Sequence, residues 1–188
     1  MKEPIFEPIL RRMRIARVLP FVKRYPVCEL LDVGCGWEAK LLKSLESIIT
    51  SGIGIDRRPP KINTDKIKTV PGCLETQLPF PNESFNFVTM LAVLEHINDE
   101  VKILNECKRV LQPGGGILIT VPSWRAKPIL EFLSFNLGLI NKSEIEDHKR
   151  YYDREDLLQL INKIDGLRLI EHRYFQFGMN NCVFLVKQ

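Results

Sequence analysis

The apolar positions of the chain follow two spacings that alternate along the sequence. Short apolar runs, which are typical of buried strands, occur at residues 28–33, 52–55, 67–70, 85–91 and 117–121. Apolar residues three or four positions apart, which are typical of helices with one buried face, occur in residues 8–19, 38–49, 98–111 and 153–164. Strands that alternate with helices form parallel sheets with right-handed crossovers. The pattern therefore predicts an α/β fold with a Rossmann-like, doubly wound, mainly parallel sheet.

Two parts of the chain depart from this alternation. Residues 167–175 and 183–186 are apolar runs joined through Gly178 and Asn180-Asn181, which predicts an antiparallel C-terminal hairpin. Residues 57–66 contain Pro59 and Pro60, so we expect no crossover helix between the second and third strands. Residues 71–84 carry three more prolines and are expected to form a loop.

Length and composition indicate one globular domain over residues 1–188. The chain is 45% hydrophobic and 27% charged, and its apolar runs are too short to span a membrane. The N-terminus lacks the residue order of a signal peptide. The five cysteines are scattered and form no Cys-x-x-Cys pair, which argues against a zinc site or a disulfide framework. We therefore expect a cytoplasmic protein with reduced thiols and no metal.

The positive charge is concentrated near the N-terminus. Residues 1–26 carry seven lysines and arginines against Glu3 and Glu7, a net charge of +5 in a chain whose total is +4. Such a basic N-terminal helix can bind RNA, DNA or acidic lipid. Its arginines do not gather on one face, because apolar residues lie between them. This spacing favours a solvated, partly packed helix over a nucleic-acid arm.

The segment Leu30–Leu42, "LLDVGCGWEAKLL", contains the candidate ligand loop. It follows the first strand, and open parallel sheets bind ligands beyond the carboxyl ends of their strands. Gly34-x-Gly36-x-x-Ala39, with Asp56 twenty residues after Gly36, also fits the dinucleotide fingerprint. The chain has no Tyr-x-x-x-Lys and no spare length for a second domain. An NAD(P)-dependent oxidoreductase is therefore the less favoured interpretation.

Five segments in order resemble the class I S-adenosylmethionine-dependent methyltransferases. They are "LLDVGCG", "GIGID", "LPFPNESFNFVTMLAVLEHI", "RVLQPGGGILITVPS" and "HKRYYDREDLLQLI". The likeness is closest to the small-molecule branch that includes the ubiquinone and menaquinone methyltransferases. It covers roughly residues 28–175.

This resemblance implies S-adenosylmethionine as the cofactor and a set of residues that bind it. Asp32, Gly34, Cys35 and Gly36 would form the loop beneath the methionine part, and Asp56 would accept hydrogen bonds from the ribose hydroxyls. Near the adenine, Cys73 replaces an acid that the family usually has, and the backbone of Leu74 would contact the ring. Leu91 and Ala92 would line the cofactor after the fourth strand.

Two residues of the loop depart from the family pattern. Glu38 stands where a third glycine is usual, and Trp37 precedes it. A glutamate in the first turn of a helix interacts favourably with the helix dipole. Its carboxylate would pair with the methionine ammonium or repel the methionine carboxylate. Two hypotheses therefore remain: an active methyltransferase and a non-catalytic binding protein with the same fold.

The acceptor is expected to be a small, apolar, hydroxylated molecule. Enzymes of this class that methylate amino groups of nucleic acids or proteins carry an Asn/Asp-Pro-Pro-Tyr/Phe motif after the fourth strand, where this chain has residues 91–96, "LAVLEH". A base assists methylation of a hydroxyl. His96 and His148 are the candidate bases. Tyr151 is a third candidate catalytic residue that, with Glu95 and Tyr152, would position the acceptor.

Residues 122–152 interrupt the alternation of strands and helices and are expected to form a lid. Within them, residues 128–139, "PILEFLSFNLGL", are apolar on nearly all sides. Three interpretations remain open for this segment: an apolar acceptor pocket, a cover for the sheet, or the interface of a homodimer.

Overall fold

The computed structural model describes residues 7–131 and 149–188. In these residues the strands are β1 Glu29–Val33, β2 Ser51–Asp56, β3 Ile67–Pro71, β4 Phe85–Leu91, β5 Leu111–Pro122, β6 Leu167–Phe175 and β7 Asn180–Lys187. The α-helices are α1 Glu7–Val22, α2 Lys40–Leu45, α3 Glu100–Val110, α4 Ala126–Glu131 and α5 Arg154–Ile161. A single 3₁₀ turn, Leu94–His96, follows β4 in this part of the chain.

All seven strands form one sheet with the order β3-β2-β1-β4-β5-β7-β6. The first five are parallel, and β7 is antiparallel to both β5 and β6. The predicted α/β fold with an antiparallel C-terminal hairpin is confirmed. The strand order reverses between β1 and β4, which is where a doubly wound sheet opens a crevice for a ligand.

Two apolar clusters cover the sheet, one on each face. On one face α3 and α5 pack through Ile103, Leu104 and Leu157. On the other face α1 and α2 pack through residues that include Val18 and Leu42. Removal of this much apolar surface from water holds the layers together. No helix of the described residues combines the length and apolar character that a membrane span needs.

The basic helix α1 is partly packed, as predicted. The Arg17 guanidinium lies 5.4 Å from the ring centroid of Phe175, and that of Arg24 lies 4.4 Å from the ring of Phe21. The helix extends beyond the predicted residues 8–19, with Pro20 inside it. Phe21 and Val22 belong to its last turn and are buried, and this packing keeps the turn helical.

Other element boundaries also differ from the predictions. Helix α2 is shorter than the predicted 38–49. Helix α3 begins two residues after the predicted 98 and is capped by Asp99, whose carboxylate accepts from the backbone N–H of Lys102. Strand β5 is longer than the predicted 117–121, because residues 113–116 also belong to it, and its register against β4 shifts there. The loops at 57–66 and 71–84 contain no helix, as expected.

The lid prediction is testable only at its two ends. Pro122 closes β5, and Ser123 is buried and donates from Oγ to the carbonyl of Gly178 at 2.6 Å. At the other end, Tyr152 is buried and its N–H donates to the carbonyl of Pro122. The ends of the segment are therefore fixed to the body of the domain. Residues 132–148 lie outside the described residues.

Asp153 should stabilise α5 through its capping box. Its Oδ1 accepts from the backbone N–H of Asp156, while Asp156 Oδ2 accepts from the N–H of Asp153, both at 2.9 Å. We expect Asp153→Ala to lower the free energy of unfolding by about 1 kcal/mol in urea denaturation. Asp165→Ala, at an exposed turn position, should change it by less than about 0.5 kcal/mol. Equal effects of the two substitutions would contradict the capping role.

Candidate cofactor site

The turn after β1 is built on two glycines in the left-handed region. Gly34 has φ 76° and Gly36 has φ 69°, backbone angles that residues other than glycine rarely adopt. A Cβ on Gly34 would lie 2.3 Å from Cγ2 of Val93, so the turns after β1 and β4 nest only because Gly34 has no side chain. A Cβ on Gly36 would meet nothing within 4 Å. The backbone of Gly36 therefore faces open space.

Asp56, the last residue of β2, ties this turn to the neighbouring strand. Its Oδ2 accepts from the N–H of Gly36 at 3.0 Å, and its Oδ1 accepts from the N–H of Arg58 at 3.2 Å. The Gly34 N–H donates to the carbonyl of Ile55 at 2.8 Å. A carboxylate has about four acceptor positions, so Asp56 retains capacity for further hydroxyl donors.

Asp32 lies inside β1 and is almost completely buried. The hydroxyl of Thr89 on β4 donates to its Oδ1 at 2.8 Å. Burial raises the pKa of Asp32 from 3.8 to about 7, an effect that the Thr89 hydrogen bond opposes and the Asp56 charge reinforces. Asp32 thus joins β1 to β4 at the reversal point and sits below the turn rather than in it.

Cys35 is buried, and its thiol is turned towards the sheet. A Cβ on Gly54 would lie 2.8 Å from Cys35 Sγ, so the absence of a side chain on β2 makes room for it. Burial, together with the charges of Asp32 and Asp56, raises the pKa of Cys35 to about 12. The thiol is protonated at neutral pH and is a poor nucleophile.

The turns after β3 and β4 lie at the same edge. The N–H of Gly72 donates to the carbonyl of Asp56, and beyond it Cys73 is exposed and Leu74 is half-buried against the core. After β4, Ala92 adopts a left-handed φ of 58° and its N–H donates to the carbonyl of Thr120 at 2.9 Å. The structure therefore brings all nine predicted cofactor residues to the carboxyl edge around β1.

Glu38 is not in the first turn of a helix, contrary to the prediction. Ala39 takes a left-handed φ of 48° and caps α2, which begins at Lys40. Glu38 Oε2 lies 2.5 Å from Lys40 Nζ, and the Lys40 ammonium lies 6.0 Å from the ring centroid of the exposed Trp37. The carboxylate is therefore paired with a neighbouring lysine, and its presence is explained by that ion pair rather than by the helix dipole.

The predicted catalytic residues fall into three environments. His96 is half-buried at the end of the 3₁₀ turn, and its backbone N–H donates to the carbonyl of Val93. The ring of Tyr151 is buried and lies 5.9 Å from that of Trp124. Tyr152, predicted to position the acceptor, instead packs in the core, and its hydroxyl donates to Glu100. His148 lies outside the described residues.

Glu95, which the sequence predicted only to position the acceptor, is a buried carboxyl group at this edge. It is 1% exposed, and burial raises its pKa from 4.5 to about 7 against the opposing effects of its backbone hydrogen bond and Arg14. Among the buried side-chain atoms of the described residues, Glu95 Oε2 and Thr120 Oγ1 have no hydrogen-bond partner. An unpaired buried carboxylate oxygen is unfavourable unless a ligand meets it. The acid in "LEHI" was its only sequence signal.

A sheet of this order, with a glycine turn after β1 and an acid at the end of β2, is the fold of class I methyltransferases. The family of sequences described as a methyltransferase domain matches residues 31–119. A demethylmenaquinone methyltransferase of Lysinibacillus sphaericus is 23% identical over 174 residues, which are 85% of this chain and 73% of that protein. Residues 31–119 therefore carry a methyltransferase domain, and the comparisons support a class I S-adenosylmethionine-dependent methyltransferase with S-adenosylmethionine as its cofactor.

Two further comparisons agree with this assignment. A ubiquinone biosynthesis O-methyltransferase of Vibrio vulnificus is 22% identical over 148 residues, which are 73% of this chain but 63% of that protein. The crystal structure of an S-adenosylmethionine-dependent methyltransferase from Aquifex aeolicus superposes with a TM-score of 0.69 at 17% identity, covering 93% and 89% of the two chains. The structural likeness supports the fold.

Asp32 should make stability depend on pH. Its folded pKa of about 7 lies above its ordinary value of 3.8, so the folded state binds the proton more tightly. Its contribution to the free energy of unfolding is therefore complete below about pH 4 and is lost as the pH rises to about 7. We expect wild type to lose stability relative to Asp32→Asn over this range in urea denaturation at each pH. A difference between the two proteins that stays constant with pH would contradict the raised pKa.

Proposed function

We propose that the protein transfers a methyl group to a hydroxyl of a small, apolar acceptor. The observation that carries the proposal is the combination, at one edge, of an open backbone turn at Gly36 and a buried Glu95 carboxyl group, one of whose oxygens has no hydrogen-bond partner. The two are linked, since Gly34 nests against Val93, two residues before Glu95. The O-methyltransferase named among the relatives supports a hydroxyl as the acceptor group.

The cofactor would be held by the turns after β1, β2, β3 and β4. We assign the methionine part to the backbone of Gly34 and Gly36, the ribose hydroxyls to Asp56, and the adenine to the Cys73–Leu74 backbone. When bound, S-adenosylmethionine supplies a methyl group attached to a positively charged sulfur. The sulfur keeps the electrons of the broken bond, so this leaving group needs no acid to protonate it. The protein then contributes mainly position and exclusion of water.

Glu95 is proposed as the base, in preference to His96 and Tyr151. It accepts the proton that the acceptor hydroxyl loses, and a carboxyl group with a pKa near 7 is well matched to that task at neutral pH. Because the charged form is the active one, the rate should rise as the pH increases through about 7.

A non-catalytic binding protein with this fold is the second candidate. It is favoured by Cys73, which is exposed where the family usually places an acid for the adenine amino group. We also propose a cytoplasmic setting, because all five cysteines are free thiols.

Asp56 should be required for cofactor affinity. Asp56→Asn keeps an oxygen for the Gly36 N–H but removes the charge that strengthens hydrogen bonds from the ribose, so S-adenosylhomocysteine should bind about 1.5–3 kcal/mol more weakly. Calorimetric titration measures this, with Asp165→Asn as the control that should bind like wild type. Unchanged affinity in Asp56→Asn would exclude it from the cofactor site.

Glu95 should be required for turnover but not for cofactor binding. In a methyl-transfer assay with apolar phenols as acceptors, Glu95→Gln should lower kcat by about 10²–10⁴-fold and should abolish the rise in rate through pH 7. Its affinity for S-adenosylhomocysteine should stay the same. If His96→Asn loses the activity while Glu95→Gln keeps it, His96 is the base. Cofactor binding without transfer to any acceptor tried favours the non-catalytic candidate.

A further inference from the structure

The exposed aromatic side chains of the described residues all lie at one edge of the molecule. Trp37 follows β1, Trp124 follows β5, Tyr174 is near the end of β6, and Phe177 lies in the turn between β6 and β7. Their exposed fractions are 69%, 51%, 44% and 97%, respectively. Because β6 runs parallel to β5, all four lie at the carboxyl edge of the sheet. An edge with this many exposed rings indicates an interaction surface.

The turn that carries Phe177 is rigid and strained. Gln176 and Phe177 both have left-handed φ angles, 51° and 58°, which are unusual for residues of this size. Gln176 is buried, its Nε2 donates to the carbonyl of Leu10 on α1 at 2.9 Å, and its Oε1 accepts from Asn180. The phenyl ring is thus held out into solvent by a fixed backbone. Such strain persists at positions where a particular presentation is needed.

Cations accompany the aromatic residues. The Lys40 ammonium lies 6.0 Å from the ring centroid of Trp37, that of Lys127 lies 5.7 Å from Trp124, and the Arg125 guanidinium lies 5.9 Å from Tyr174. Acids lie beside two of these rings as well: Glu38 is paired with Lys40 next to Trp37, and the indole N–H of Trp124 donates to Asp156 at 3.1 Å. The cations nevertheless lie beside three of the four rings.

A basic groove continues this edge between α1 and α2. It has a volume of about 560 Å³, and its lining includes Arg11, Arg12, Lys40 and Lys43 above the apolar side chains of Ile15 and Leu19. The hydrogen bond from Gln176 to Leu10 places the start of α1, and with it this groove, next to the Phe177 turn. Lys40 lines this groove and also lies beside Trp37, so positive charge and an exposed ring adjoin each other there.

We propose that the carboxyl edge is a docking surface for an anionic lipid bilayer. Phe177 and the two tryptophans enter the interfacial region, where indole rings are favourably placed, and Arg12 and Lys43 meet the headgroup phosphates. A bilayer fits these features because it accepts an isolated protruding ring and a diffuse set of cations together. The proposal goes beyond methyl transfer and is independent of it.

The test uses vesicles of phosphatidylcholine alone and of an equal mixture with phosphatidylglycerol, without cofactor. Both tryptophans of the chain lie at the proposed surface, so their emission reports on it directly. We expect cosedimentation and a blue shift of tryptophan emission with the anionic vesicles only. Absence of both with anionic vesicles overturns the proposal, and so does tighter binding to single-stranded RNA than to these vesicles. Cofactor affinity is measured separately, so that failure here and failure of the proposed function are distinguishable.

Two pairs of variants locate the surface. Phe177→Gly should weaken partitioning into the vesicles about tenfold, because it removes the ring that enters the bilayer. Its Tm should be unchanged or higher, because glycine tolerates the left-handed backbone. Val27→Ser, which removes an exposed apolar side chain on the opposite edge, should bind like wild type.

For the charges, the double variant of Arg12→Glu and Lys43→Glu should weaken binding roughly tenfold or more. The double variant of Lys163→Glu and Arg168→Glu has the same net charge but places it at the opposite edge, and it should bind better than the first pair. Equal loss in the surface and control variants contradicts this placement of the surface.

Discussion

The site depends on one close approach, that of Gly34 to Val93. Because any side chain on Gly34 would collide with Val93, the turns after β1 and β4 can nest only over a glycine. This nesting occurs where the strand order reverses, between the two strands that Asp32 and Thr89 already join. It holds Gly36 within reach of Asp56, and it places the β4 turn, with Ala92 and Glu95, beside the open backbone of Gly36.

The same edge concentrates carboxyl groups that burial keeps close to neutral. Asp32 and Glu95 both have pKa values raised to about 7, mainly by loss of solvation. Asp32 has Thr89 as a hydrogen-bond donor, whereas Glu95 has one oxygen without a partner among the described residues. The first therefore serves the architecture of the sheet, and the second is available for chemistry. Their different surroundings thus give different roles to Asp32, in β1, and Glu95, in the turn after β4.

The cofactor turn was predictable from sequence because its requirements are local. Glycines in a tight turn and an acid at the end of the next strand leave a pattern that is visible in the letters. The partners Thr89 and Val93 were not predictable, since they depend on the register of a strand more than fifty residues away. Glu38 was misplaced in a helix because Ala39 adopts a left-handed conformation that alanine rarely takes. Helix α1 continues past its predicted end at residue 19, because the burial of Phe21 and Val22 outweighs the hydrogen bond lost at Pro20.

The central claim is that this edge binds S-adenosylmethionine in spite of Trp37, Glu38 and Cys73. The most direct test is calorimetric titration of the wild-type protein with S-adenosylhomocysteine, alongside NAD. The pairing of Glu38 with Lys40 and the open space at Gly36 predict saturable binding of one S-adenosylhomocysteine per chain and no heat from NAD. No binding of S-adenosylhomocysteine, or equal binding of NAD, would contradict the account.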